Sequence, residues 1–283
     1  MKKTSVKKGA PTRQIEAREY ARGYQIVLGV DGRSTVVLYC TVVVIFVDSL
    51  RPSCGTHHSP YLTSYSSEPP FVPYFRIEAG RGPLAGPVVA AACALPPDLP
   101  LPGLDDSKKM TSVMRDQIYD LLTTHPDVIW ATGLVTAADI DATNILQAAM
   151  KAMDIAVVTC VSTMRYDVDK DKNRGKVAVL VDGNRLPVDV AARYPDSSRA
   201  IIKGDGSVLC IAAASVIAKV TRDRIMAGYD AQWPEYGFKQ HQGYGTRGHL
   251  AAIAQHGACP QHRRTFAPFK SKEVKKINKR KER

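Results

Sequence analysis

An α/β fold, with helices set against a central sheet, is predicted by two features of this sequence. Short apolar runs end at an acid or a glycine-rich turn, and longer segments with apolar residues at helical spacing lie between them. Residues 24–31, YQIVLGVD, read as a strand that delivers a carboxylate at its C-terminal end. Residues 87–95 form a second apolar run after a glycine-rich turn, and residues 128–135 a third. Residues 144–163 carry Ile145, Leu146, Met150, Met153 and Val157 at the spacing of a core helix. Residues 177–181 and 200–202 are short buried strands, stopped by Asp182-Gly183-Asn184 and Lys203-Gly204-Asp205. Residues 208–226 form a long alanine-rich helix, after which the chain turns polar and loop-rich.

Composition narrows the class. The chain has 283 residues, enough to bury a full core, and 45% hydrophobic with 23% charged content is ordinary for a soluble globular protein. The six cysteines are scattered with no CxxC pair, as in reduced thiols of an intracellular protein. The formal charge of +12 is concentrated at the ends: residues 1–14 carry +5 and residues 270–283 carry +6, leaving about +1 between them. Such tails attract phosphate backbones, act as nuclear-import patches, or simply solubilise. The opening MKKTSVKKGAPTRQ has no apolar core behind its charges, so it does not read as a secretory signal. The membrane-like stretch at 36–47 has 12 residues, short of the ~20 that cross a bilayer. Its β-branched residues suit a buried strand or an aggregation-prone segment instead. Residues 48–76 are rich in Ser, Pro and Tyr without any period, and ordered domains rarely hold so long a structureless loop.

Three acids share one design, an apolar strand that stops at a carboxylate: Asp31, Asp182 and Asp205. Strand ends on one edge of an α/β sheet converge on the crevice where such folds bind ligands. Carboxylates gathered there repel one another unless a hard cation such as Mg²⁺ or Mn²⁺ neutralises them. Two such ions about 4 Å apart suit phosphodiester cleavage. Any one of these acids also reads as an ordinary turn cap. The turn from Glu78 through Gly80-Arg81-Gly82 to Gly86 lets backbone N–H groups approach a sugar or phosphate closely. It is not a dinucleotide fingerprint, because Pro87-Val88-Val89 continues as a strand where that motif opens a helix.

Seven segments carry a resemblance: EAGRGPLAGPVVAAA, LDDSKK, NILQAAMKAM, VDGNRLP, IIKGDGSVLCIAAASVIAKVTRDR, YGFKQHQGYGT and HRRTFAP. In this order the sequence resembles bacterial-type ribonuclease HII, over residues 24–31 and 78–268. The resemblance implies a ribonuclease H-like α/β fold, a central mixed sheet flanked by helices with a C-terminal helical and loop subdomain. It implies that Asp31, Glu78, Asp182 and Asp205 are the catalytic and metal-binding residues, holding two Mg²⁺ or Mn²⁺ ions during catalysis. Water then attacks the phosphate 5′ of a ribonucleotide in an RNA–DNA hybrid, or in duplex DNA containing ribonucleotides, leaving 3′-hydroxyl and 5′-phosphate ends. Gly80, Arg81 and Gly82 resemble the element that reads the 2′-hydroxyl, and Tyr244 the tyrosine stacked on the adjacent sugar. Ser107 and Lys108 would contact backbone phosphate, their alternative being a helix-capping serine beside a solvated lysine.

The chain departs from the family at its first motif, GVDEAGRG. Here Gly29-Val30-Asp31 is followed by 46 extra residues, 32–77, before Glu78-Ala79-Gly80-Arg81-Gly82. Removing them restores the motif without a gap. We read the segment as a retained intron: a glycine codon at Gly32 can supply a G|GT donor, and an ATA codon at Ile77 would complete an AG acceptor with the first base of the Glu78 codon. The rival is a genuine insertion that leaves the two acids neighbours in space. The expected organisation is a basic N-terminal tail at 1–23, a catalytic domain at 24–268 interrupted by a non-native insert at 32–77, and a basic tail at 269–283. Two other functions stand beside the nuclease: a catalytically impaired hybrid-binding protein, because the insert splits Asp31 from Glu78, and a scaffold that binds nucleic acid through its tails. A monomer without membrane attachment is expected, intracellular in nucleus, cytoplasm or organelle. Within residues 208–226, Arg222 and Asp223 read as ion pairing on a solvated face. His241, His249 and His262 read as hydrogen-bonded structural histidines or weak phosphate contacts, and Tyr236 and Phe238 as packing residues.

Overall fold

A computed structural model describes residues 11–21, 26–28, 30–31, 39–43, 82–96, 99–163 and 177–269. Its strands are β1 (Ile26–Leu28), β2 (Val30–Asp31), β3 (Tyr39–Val43), β4 (Val88–Ala94), β5 (Ile129–Val135), β6 (Val177–Asp182) and β7 (Ser198–Ile201). Its helices are α1 (Gln14–Ala21), α2 (Ser112–Thr124), α3 (Ala137–Ala142), α4 (Ile145–Thr163), α5 (Val188–Arg193), α6 (Leu209–Gln232), α7 (Phe238–His241) and α8 (Arg247–His256).

Strands β4 and β6 form the spine because every residue in them is buried. Alternation divides their side chains between two cores. Val88, Ala90, Ala92 and Ala94 of β4, with Val177, Val179 and Val181 of β6, face α4. Ala91 and Cys93 of β4, with Ala178 and Leu180 of β6, face α6 and α2. Strands covered on both faces read as unbroken apolar runs, as these do. The small side chains let helices come close: a Cβ on Gly133 of β5 would run into the Ala152 carbonyl of α4. At 19 residues and mean hydropathy 1.5, α4 is long and apolar enough to cross a bilayer. Yet Ala148, Ala152, Met153, Ala156 and Cys160 are spent on the sheet.

The sheet is mixed, in the order β1-β6-β3-β4-β5, with β2 paired to β3 and β7 to β6. Of the run at 24–31, expected as one strand, the described residues are β1 and β2, both extended. Strand β3, which lies within residues 32–77, pairs with β4 from Tyr39↔Val89 to Val43↔Cys93 and meets β6 at Val42↔Val181. Tyr39, Thr41, Val42 and Val43 are aromatic or β-branched, and such residues compete well for a place between two apolar strands.

Two regions hold more structure than their composition suggested. Residues 11–21 contact the body: Pro11 is buried, Thr12 bridges to Val208, and Arg13 donates to the carbonyls of Pro96 and Leu99 at 3.0 and 3.3 Å. The guanidinium that looked like tail charge has carbonyl partners in the body. The polar stretch after 226 is also more helical than expected, since α6 runs on to Gln232 and α8 follows. Thr111, Thr136 and Thr246 cap α2, α3 and α8, each accepting a backbone N–H in the first turn.

Candidate active site

Strands β6 and β7 run parallel, with Asp182 opposite Ile201, so their C-terminal ends reach the same edge. Beyond β7, Lys203 takes a left-handed conformation (φ 62°) and a short 3-10 turn, Gly204–Gly206, carries Asp205 back towards Asp182. Both aspartates are 0% exposed. The Gly204 N–H donates to Asp182 Oδ1 at 2.5 Å, fixing one carboxylate against the turn that bears the other. Burial pushes the Asp182 carboxyl up to about 7, and the Asp205 charge adds to the rise, against N–H donors from Gly204, Asp205 and Gly183. Two buried carboxylates that destabilise each other's charge are hard-oxygen donors suited to a divalent cation.

Asp31 ends β2 with its backbone opposite Thr41. Its side chain, and Glu78, Gly80 and Arg81, lie outside the described residues. Gly82 is described, and a Cβ on it would sit 3.6 Å from the Phe266 ring. Among the described residues no group of three or more His, Cys, Asp or Glu could hold a metal.

The 105–109 turn lies near the acids. Lys109 pairs with Asp105 at 2.9 Å, and its pKa is raised by that bond and by the charges of Asp105, Asp106 and Asp205. Ser107 is buried with its hydroxyl 2.7 Å from that of Ser215 in α6, so it anchors the turn. Lys108 is exposed and its N–H bonds Asp106.

Gly204 is required by close approach. A Cβ there would stand 2.5 Å from Ile211 Cδ1 and 3.3 Å from Asp182 Oδ1. Gly204→Ala is therefore expected to lower kcat roughly tenfold or more, through displacement of the carboxylate. A kcat equal to the parent's would show that Asp182 need not stay where the turn holds it.

Tyr244 lies across the Leu84 loop. Its hydroxyl is buried and has no hydrogen-bond partner among the described residues. Burial raises its pKa to about 12, opposed by the charges of Arg222 and Arg263. Its carbonyl lies 2.8 Å from His249 Nδ1, and a carbonyl only accepts, so that nitrogen carries the proton. A neutral His249 then accepts at Nε2 from His262 Nε2–H at 3.0 Å. His262 Nδ1 is left to accept the Cys259 N–H at 3.0 Å and its thiol at 3.1 Å. The chain of bonds requires both rings neutral, and burial lowers both pKa values to about 4.

These are the hydrogen-bonded structural histidines the sequence suggested, and Tyr236 stacks on Phe238 beside them at 5.3 Å. Folded pKa values below the unfolded ~6.5 mean stability that is complete above pH 6.5 and lost as pH falls through 4. Other groups titrate over the same interval, so the pair is isolated by difference: as pH falls from 6.5 to 4, thermal melts should show the parent losing more Tm than His262→Asn. Equal slopes would separate the drop from this pair.

The expected ion pairing of Arg222 on a solvated face is incorrect. Asp223 does pair with Lys219, at 2.5 Å, but Arg222 is 1% exposed and donates to carbonyls of Ala85, Pro87 and Gln242. Arg263, unremarked in the sequence, is 2% exposed and donates to Gly86 and Pro87 carbonyls.

The profile of the ribonuclease HII family matches residues 78–269. The chain belongs to the ribonuclease HII family. Ribonuclease HII 1 of Methylibium petroleiphilum is 46% identical over 194 residues, 69% of this chain and 89% of that protein. Ribonuclease HII of Delftia acidovorans is 50% identical over 192 residues, 68% of this chain and 74% of its own length. The fold also resembles a chain of the PCNA:RNase HII complex from Archaeoglobus fulgidus, with TM-score 0.48 and 17% identity over 65% of this chain and 87% of that one. Members of this family are divalent-metal-dependent ribonucleases, and the buried Asp182–Asp205 pair provides donors of the right kind. The family match begins at Glu78, where the extra residues end.

Proposed function

We propose that this ribonuclease HII cuts the RNA strand of RNA–DNA hybrids, and duplex DNA containing ribonucleotides, on the 5′ side of a ribonucleotide. What carries the reading is the convergence of Asp182 and Asp205, buried together where two parallel strands end. Asp31 and Glu78 join them to hold two Mg²⁺ or Mn²⁺ ions. Such ions, held there, would supply the Lewis acidity that activates water and stabilises the leaving oxygen. The protein's own part is to fix the acids, exclude excess water and orient the strand. Gly80, Arg81 and Gly82 meet the ribose 2′-hydroxyl, Tyr244 stacks on the neighbouring sugar, and Lys108 meets phosphate, with Ser107 bracing its turn through Ser215. The protein acts as a monomer inside the cell, its lysine-rich ends favouring the nucleus.

Residues 32–77 are, in this reading, a retained intron and no part of the working enzyme. Sequencing the transcript checks this directly: a message that always contains the 46 codons refutes it. For the activity, the purified chain is incubated with a duplex holding one ribonucleotide. Cleavage with Mg²⁺ should give 3′-hydroxyl and 5′-phosphate ends and stop with EDTA. Cleavage that persists in EDTA, or that leaves a 2′,3′-cyclic phosphate, would defeat the proposal.

A further inference from the structure

Two guanidiniums buried beneath one loop are unusual, because each charge removed from water must recover its hydration from fixed dipoles. Here the dipoles are carbonyls of consecutive residues. Arg222 donates to Ala85 at 3.1 Å and Pro87 at 3.0 Å, and with its third nitrogen to Gln242 at 3.0 Å. Arg263 donates to Gly86 at 3.0 Å and Pro87 at 3.3 Å, and its own N–H bonds the Leu84 carbonyl at 2.8 Å. Every carbonyl from residue 84 to 87 is thus held by one arginine or the other. A single guanidinium, that of Arg222, spans from this strap to the loop that leads into Tyr244.

The junction is close. Leu84 N–H donates to the Gly243 carbonyl at 2.7 Å, and a Cβ on Gly243 would stand 2.5 Å from the Ala85 oxygen. The strap begins two residues after Gly82, and Tyr244 follows Gly243, so the same contacts join both elements that face the ribose.

We propose that Arg222 and Arg263 are positioning residues for ribonucleotide selection, setting the spacing between the Gly82 turn and Tyr244. The inference rests on the reading of those two elements as ribose contacts. A planar fork with five donors can hold three carbonyls at once, which a lysine ammonium on a flexible stem cannot do in the same directions.

The test uses the full chain and binding, so it does not depend on turnover. Fluorescence anisotropy with Ca²⁺ gives the affinity ratio between a duplex carrying one ribonucleotide and the same duplex in DNA alone. Arg222→Lys and Arg263→Lys should each lower the ratio about tenfold, while in a Tyr244→Ala background Arg222→Lys should change it less than about twofold. Gly243→Ala, which drives a methyl into the Ala85 carbonyl without touching a charge, should lower the ratio as well and stands in if a lysine variant does not fold. A merely structural arginine would lower Tm and leave the ratio alone. Equal losses from Arg222→Lys with and without Tyr244, or an unchanged ratio in folded Arg222→Lys and Gly243→Ala, overturn the proposal. A ratio in Tyr244→Ala equal to the parent's overturns instead the ribose reading beneath it.

Discussion

Asp182→Asn should lower the cleavage rate by about a thousandfold or more and yet make the metal-free protein more stable. In the proposed mechanism the loss follows from removing a charged oxygen ligand from a metal centre whose charge stabilisation drives cleavage. The gain follows from the same burial. With a folded-state pKa of about 7 against 3.8, the folded chain holds a proton that the unfolded chain releases, so stability falls as pH rises from 3.8 to 7. Above that interval the penalty is constant, and at ~1.4 kcal/mol per pKa unit it amounts to at most about 4 kcal/mol. The asparagine carries no such charge while its Oδ1 still accepts the Gly204 N–H. In EDTA at pH 8 the variant should melt roughly 5 °C above the parent, with the gap shrinking towards pH 4. Saturating Mg²⁺ should reverse the order, because only the parent gains ligand stabilisation. A variant that melts below the parent in EDTA would mean that the carboxylate pair is not strained against itself.

Deleting residues 32–77 should raise the specific activity about a hundredfold. Ligands to a metal pair tolerate little error, and ~1 Å of misplacement costs about that factor. The deletion makes Asp31 and Glu78 adjacent in sequence, so a single peptide link sets their spacing. It also removes β3, freeing its place between β4 and β6 for residues 24–31 to run as one strand. Steady-state cleavage of a duplex with one ribonucleotide compares the two proteins. Equal or lower activity in the shortened chain would establish the segment as a working part of the enzyme.

Much of the site was legible because it obeys local rules. An apolar run that stops at Asp182-Gly183, or at Gly204-Asp205, announces a buried strand and its end, and parallel strands bring such ends to one edge. Helix α4 was readable from its apolar spacing, and α6 nearly to its true length. The capped helices α2 and α8 were missed because their apolar stripes are narrow and a threonine cap is a weak signal. Asp223 was readable as an ion-pairing residue and does pair with Lys219, while Arg222, one residue away, points into the body.

That contrast marks the boundary between the two sources of information. The sequence by itself determined the main strands, the two long helices, the acids that follow the strands and the site where the first motif is broken, since each depends on residues close in the chain. Only the tertiary structure decided that Arg222 and Arg263 hold residues 84–87, that His249 and His262 hydrogen-bond each other, and that β3 occupies the sheet. Each of those depends on partners far away in sequence, and burial, which local periodicity does not encode for a charged side chain, chooses them.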